Sequence, residues 1–306
     1  MMQTTSPNKI VLVTGVSSGF GQLIVTTVAQ AGHTVYATMR DINGKNAEKA
    51  DEYKRLVEQS HLKIHVLEMD VTSSVQVEQV VNKIISIEGR IDVAVNNAGI
   101  GAFGASEAFT IDQYENMLNT NLLGSFRVSK SVLPFMRAQK SGLLVQISSI
   151  GARCISPFFG LYCSTKSAVE TMAESLRYEL SNLGIDSVII EPGAFATQFG
   201  HNNQLPQEQD RAEAYEFMIP IFQQIIQEFE QITRDPNLPT NPQLVADAVS
   251  ELIQTPAGER PLRTVVGMDP GVATINEATE RLQFRTMEQR GIGHLVDIEA
   301  ARAHHS

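Results

Sequence analysis

Apolar positions along this chain fall into short continuous runs, each followed by a longer stretch in which they recur at helical spacing. Runs at 9–14, 34–39, 63–69, 91–95, 143–147 and 186–190 have strand length. Between them, 23–31, 45–60, 73–88, 112–138 and 162–183 read as helices; the third carries Val75, Val77, Val80, Val81, Ile84 and Ile85. Strands buried on both faces read as uninterrupted apolar runs, and strict alternation with helices calls for parallel crossovers. The pattern predicts an α/β fold of Rossmann type: a doubly wound sheet of about seven parallel strands with helices on both faces.

The last third is less regular. Residues 198–206 are polar and read as a loop. Residues 207–232 read as one helix with an apolar stripe of Phe217, Ile221, Phe222, Ile225, Ile226 and Phe229. That stripe fits either a cover over a ligand or ordinary core packing. A proline-rich linker at 236–242, a helix at 242–254 and an apolar run at 263–267 complete a seventh strand, and 270–306 form an extension. We expect a single domain over 1–306, with a core at 9–197 and covering helices, last strand and extension at 198–306.

Composition narrows the function classes. A formal charge of −10 excludes an electrostatic nucleic-acid binder, which needs a basic face. No apolar run reaches membrane-spanning length, and residues 1–9 lack the apolar stretch of a signal peptide. Two cysteines, Cys154 and Cys163, suit a reducing compartment, so a cytoplasmic location is expected. Cys163 reads as a small packing residue. No metal site is expected; the histidines of His304-His305-Ser306 are poor evidence for one.

Candidate chemistry gathers at the carboxyl ends of the expected strands, where ligands of such sheets bind. After the first strand comes Gly15-Val16-Ser17-Ser18-Gly19-Phe20-Gly21, a glycine turn opening a helix. Such a turn lets backbone approach a pyrophosphate closely, and also occurs without a ligand. The second strand ends at Met39 and Arg40, where NAD sites place an acid and an arginine accommodates a 2′-phosphate. This favours NADP(H), although Asp41 partly offsets the charge. The third strand ends in Asp70 and Val71; the fourth in Asn96, Asn97, Ala98 and Gly99. Asn121, within the fourth expected helix, reads in isolation as a solvated or capping residue.

Tyr162-Cys163-Ser164-Thr165-Lys166 places a phenol and an ammonium at i and i+4, on one helix face. A nearby fixed cation favours the phenolate, and a shift of three units is worth roughly 4 kcal/mol. Such a tyrosine can exchange a proton with an alcohol or ketone. Taken alone, the pentapeptide also fits an ordinary helix start with an exposed lysine.

Together these residues resemble the short-chain dehydrogenase/reductase family. The matching pieces are Thr14-Gly15-x-x-x-Gly19-x-Gly21, Asp70, Asn96-Asn97-Ala98-Gly99, Asn121, Ser149, Tyr162-x-x-x-Lys166 and Pro192-Gly193-x-x-x-Thr197, in the family's order. The segment 35–41 is also similar to the NADP-preferring hydroxysteroid and retinol dehydrogenase-like branch. The resemblance implies hydride transfer between NADP(H) and a carbonyl or alcohol of a hydrophobic small molecule. It implies Tyr162 as general acid and base, Lys166 lowering its pKa and holding the nicotinamide ribose, Ser149 holding the substrate oxygen and Asn121 positioning a proton-relay water. It further implies Asp70 and Val71 at the adenine, Asn97 to Gly99 at the adenosine, and Pro192, Gly193 and Thr197 at the nicotinamide. The region after 197 would close over the substrate. Homodimers or homotetramers built on helices 112–138 and 162–183 are also implied. The rival functions are a cofactor-binding regulator that has lost turnover, and an epimerase or dehydratase on a related fold.

Overall fold

The computed structural model describes residues 8–197 and 203–296. Seven parallel strands form one sheet: β1 (Ile10–Thr14), β2 (Thr34–Met39), β3 (Ile64–Glu68), β4 (Val93–Asn96), β5 (Gly142–Ile147), β6 (Ile185–Pro192) and β7 (Arg263–Val266). Their spatial order is β3-β2-β1-β4-β5-β6-β7, so the direction of winding reverses between β1 and β4. The crossovers are α1 (Gly19–Gln30), α2 (Ala47–Ser60), α3 (Ser74–Glu88), α4 (Ile111–Leu118), α5 (Gly124–Gln139) and α6 (Gly160–Leu180). Beyond β6 lie α7 (Gln209–Glu213), α8 (Ile219–Arg234), α9 (Gln243–Gln254) and, after β7, α10 (Val272–Gln289). The expected doubly wound α/β architecture and its seventh strand are therefore present. No helix among the described residues is long and apolar enough to cross a membrane.

Alternation along the strands divides the core in two. Val11, Val13, Val35 and Ala37 point to the face covered by Ile24, Val25 and Val28 of α1 and Val245 and Val249 of α9. Ile10, Leu12, Tyr36 and Ala94 point to the other, under Val77, Val81 and Ile84 of α3, Val128 and Val132 of α5 and Leu176 of α6. Side chains from both faces are needed to shield a parallel sheet from water, which is why the runs are apolar at every position.

Two expected helices are not continuous. The stretch 112–138 is divided into α4 and α5 by a π-helical turn at Asn119–Leu123. Asn121 sits within that turn and is 1% exposed, so it is neither solvated nor a helix cap. Its Nδ2 donates to Ile100 O and Thr165 Oγ1, both at 2.9 Å, while its Oδ1 accepts from Ile100 N at 2.8 Å. The wide turn is held by these bonds to other parts of the chain, and single π turns inside helices occur frequently at functional sites.

The stretch 207–232 is likewise broken, into α7, a 3₁₀ turn at Glu216–Met218, and α8. Pro220 lacks an N–H and crowds the preceding turn, so the helix restarts with this proline in its first turn. The stripe on α8 is not core: Phe217, Ile221, Ile226 and Phe229 are exposed. Phe222 and Ile225 are half-buried, and Phe222 stacks on Phe103 with ring centroids 4.4 Å apart and meets Phe158 edge-on at 5.6 Å.

Candidate active site

The carboxyl edge of the sheet gathers the motif residues around the winding reversal. Gly15 leaves β1 at φ +69°, and a Cβ there would lie 2.6 Å from Ala98 Cα. At Gly21, a Cβ would lie 2.4 Å from Gly15 O, so the turn closes only without side chains at these two positions. Thr14 organises the same junction: its Oγ1 accepts from the N–H groups of Asn97 and Ala98, each at 3.0 Å. Asn97 Nδ2 donates to Thr14 O and Gly15 O, both at 2.9 Å. The Asn97 amide thus braces the glycine turn from β4.

Helix α1 begins at Gly19, and Ser18 at its N-cap makes no side-chain capping bond. Ser17 and Ser18 are half-buried beside it. A twelve-residue helix that starts without a side-chain cap or an acidic first turn presents N–H groups and a positive dipole end to an anion. Phe20 packs edge-on against Phe195 at 5.4 Å, fixing the turn to the segment after β6. In that segment Gly193 N donates to Val266 O at 2.9 Å, and Thr197 N to Phe195 O at 3.0 Å. A Cβ at Gly19 would stand 3.7 Å from Thr197, so the ends of β1 and β6 face each other. This arrangement fits a dinucleotide pyrophosphate.

Arg40 projects from the end of β2, with its side chain 61% exposed and Nη1 3.9 Å from Asp70 Oδ2. A pair this exposed contributes little stability and leaves the guanidinium accessible. Asp41 is turned away into its own loop: at φ +50°, its Oδ2 accepts from Lys45 N at 2.7 Å. Asp70 Oδ1 accepts from Thr72 N at 2.8 Å and Thr72 Oγ1 at 2.7 Å, shaping the turn that carries buried Val71.

Tyr162, Lys166, Ser149 and Asn121 come together at the ends of β4 and β5. Tyr162 is buried with Ala102, Phe109, Met117 and Cys163. Burial pushes its phenol above the ordinary tyrosine range, and a hydrogen bond with Ser149 acts in the opposite direction. Ser149 Oγ also accepts from Gly151 N at 3.0 Å. Lys166 Nζ lies 5.8 Å from the centre of the Tyr162 ring and donates to Ile147 O at 2.7 Å. Burial pushes the lysine down to about 8, and the nearby Glu170 carboxylate opposes that. Desolvation and the Ser149 hydrogen bond set the phenol here, and the expected lowering by the lysine is not found. A Cβ at Gly99 would stand 3.4 Å from Asn121 Oδ1 and 3.6 Å from Lys166 Nζ, which places both beside the end of β4.

Several residues at the site were absent from the sequence-based set. Thr14 was visible only as part of the glycine motif, while Ser148 and Glu170 add a buried bond of 2.7 Å directly behind the tyrosine and lysine. The i, i+4, i+8 spacing of Tyr162, Lys166 and Glu170 is the signal that could have found the glutamate. An apolar cavity of about 270 Å³ lies near the site, bordered by Phe103, Phe158, Pro206, Met218, Ile219 and Phe222. Phe158 is held at φ +68°, an uncommon conformation for an aromatic residue, and its carbonyl accepts from Gly104 N at 2.9 Å.

Residues 9–208 match the profile of the family described as short chain dehydrogenase. The chain is 37% identical to a 3-ketodihydrosphingosine reductase of Bacteroides thetaiotaomicron, over 68% of this chain and 71% of that protein. It is 30% identical to human retinol dehydrogenase 8, over 93% of each. The crystal structure of a short-chain dehydrogenase from Streptomyces avermitilis superposes with a TM-score of 0.73 at 30% identity, covering 94% of this chain and 98% of that one.

Proposed function

The chain belongs to the short-chain dehydrogenase/reductase family, and from that premise we propose that it is an NADP(H)-dependent oxidoreductase interconverting a carbonyl and an alcohol on an apolar small molecule. The convergence of Tyr162, Ser149 and Lys166 at the carboxyl edge of the sheet carries this reading. A nicotinamide cofactor, when bound, supplies or accepts the hydride; the protein orients the partners and moves the proton.

In reduction, Tyr162 gives its phenolic proton to the substrate oxygen; in oxidation it takes that proton back. Burial keeps the proton on the phenol at neutral pH, which suits the acid role and the reductive direction. Charge develops on the phenolic oxygen as the proton leaves, and the Lys166 ammonium stabilises it. Ser149 donates to the substrate oxygen. Lys166 holds the ribose, and Asn121 positions a water on the proton path to Lys166.

The turn with Gly15, Ser17, Ser18, Gly19, Phe20 and Gly21 holds the pyrophosphate at the start of α1. Asp70 and Val71 frame the adenine, Asn97, Ala98 and Gly99 the adenosine, and Pro192, Gly193 and Thr197 the nicotinamide. Exposed Arg40 supports a preference for the 2′-phosphate of NADP(H), since Asp41 is occupied within its own loop. The Phe103, Phe158 and Phe222 cluster supports an apolar substrate.

The test is nucleotide consumption with NADPH and with NADH against a retinal, a ketosteroid, a long-chain 3-ketone and a small aldehyde. We expect turnover with NADPH and an apolar carbonyl. Turnover with NADH alone would contradict the role of Arg40. Binding of both nucleotides with turnover of none of these substrates would favour a cofactor-binding regulator.

A further inference from the structure

Three successive residues at the end of β5 are each tied to the same stripe of α6. Ile147 O accepts from Lys166 Nζ at 2.7 Å, Ser148 Oγ donates to Glu170 Oε1 at 2.7 Å, and Ser149 bonds with Tyr162. The first and last contacts belong to the proton-transfer apparatus. The middle one joins it to a carboxylate that is only 2% exposed.

Burying a carboxylate is costly unless hydrogen bonds and opposite charges surround it. Glu170 Oε2 lies 2.9 Å from Arg153 Nε and 3.4 Å from Arg263 Nε. Arg263, on β7, is itself 2% exposed at its side chain and reaches Glu174 of α6 at 2.6 Å and Glu280 of α10 at 3.3 Å. Tyr178 of α6 donates to Glu174 at 2.6 Å. From β6, Glu191 stands 3.9 Å from Arg153 and accepts from Asn276 of α10. The charged groups facing Glu170 are therefore Lys166 and Glu174 on its own helix, Arg153 before it, Glu191 from β6, Arg263 from β7 and Glu280 from α10.

We propose that Glu170 is a positioning residue for the Tyr162–Lys166 pair, its carboxylate anchored by Ser148, Arg153 and Arg263 so that Lys166 stays an ammonium and the end of β5 stays seated against α6. This rests on reading Tyr162 and Lys166 as the proton-transfer pair. Glu170 lies one turn beyond Lys166 on the same helix stripe. Burial works against the ammonium, and the glutamate charge works for it. Of the two forms of Lys166, only the ammonium carries a charge that stabilises a developing phenolate, so the Glu170 charge sets the pH range over which the pair functions. Through Arg263, helix α10 becomes part of that support.

The test follows the ε-carbon signal of Lys166 by NMR in the full chain without nucleotide, assigned by its loss in Lys166→Met. The Lys166 midpoint should fall in the order wild type, Glu170→Asp, Glu170→Gln. The aspartate keeps the charge but withdraws it by one methylene; the glutamine removes it while retaining an acceptor for Ser148. We expect Glu170→Gln to lower the proton affinity of Lys166 roughly threefold or more. The double variant E170Q/E191Q, in which Glu191 cannot take over the charge, should lower it at least as far. The alkaline limb of kcat/KM should move in the same direction, which a purely structural glutamate would not cause.

Midpoints in folded Glu170→Gln and E170Q/E191Q equal to wild type would overturn the proposal. Should both glutamine variants fail to fold, a Glu170→Asp midpoint equal to wild type would overturn it. The acid–base reading fails separately, by retention of turnover in Tyr162→Phe, and leaves the NMR comparison intact.

Discussion

Asn121 shows how much a single side chain contributes at this site: its amide satisfies both backbone groups of Ile100 and the hydroxyl of Thr165. Asn121→Ala would strand these buried partners, and we expect a loss of about 2–4 kcal/mol in urea unfolding, from unmade bonds costing 1–3 kcal/mol each and partly relaxed. Arg40 is a different case, exposed and structurally dispensable. Arg40→Ala should weaken NADPH binding by about 1.5–3 kcal/mol, the range for hydrogen bonds to charged groups, and leave NADH binding nearly unchanged by calorimetry. The glycine turn, Tyr162 and Lys166 were legible in the sequence because their chemistry depends on local spacing. The burial of Asn121 was not, because its partner Ile100 lies 21 residues upstream and is met only in the folded chain.

Among the elements, the strands were readable because a parallel sheet covered on both faces requires apolar residues at every position. Helix breaks were harder to read. The π turn at Asn119–Leu123 contains no proline or glycine to mark it, and its cause is tertiary. By contrast, Pro220 was a visible restart signal in the first turn of α8, overshadowed by an apolar pattern that continued across it. On α8, Phe222 reaches the aromatic cluster formed with Phe103 and Phe158, while Ile221, Ile226 and Phe229 remain exposed. Phe222→Ala should lower kcat/KM for a long apolar substrate by the equivalent of about 1–3 kcal/mol, through KM, as expected for a lost aromatic contact, and leave a small aldehyde unaffected.

At the scale of the whole molecule, the buried ion cluster joins the sheet's β5, β6 and β7 to α6 and α10 through residues far apart in the chain, Glu170 and Arg263 being 93 positions apart. Sequence spacing carries no signal for such a pairing. Burial and the neighbouring Glu170 raise Glu191 to about 8 from an ordinary 4.5. The folded state therefore holds a proton that the unfolded chain releases above 4.5. The stability this contributes is fully present below pH 4.5 and is lost as pH rises toward 8. We expect the denaturant midpoint of Glu191→Gln, measured against wild type, to gain on it between pH 5 and pH 8.5; parallel curves would contradict the raised value. The short turn Gly293–Val296 beyond α10 packs against α6, one of the two helices that the family resemblance assigned to self-association. Light scattering of the full chain decides whether a homodimer or homotetramer still forms.

Every role proposed for the site depends on Tyr162 as the residue that transfers the proton. The most direct test of that role is turnover of Tyr162→Phe with NADPH and the best apolar carbonyl, alongside fluorescence titration of nucleotide binding. We expect a loss of roughly 10²–10⁴-fold in kcat, the usual contribution of a positioned acid, with nucleotide affinity retained. Unchanged kcat in a variant that binds nucleotide normally would contradict it.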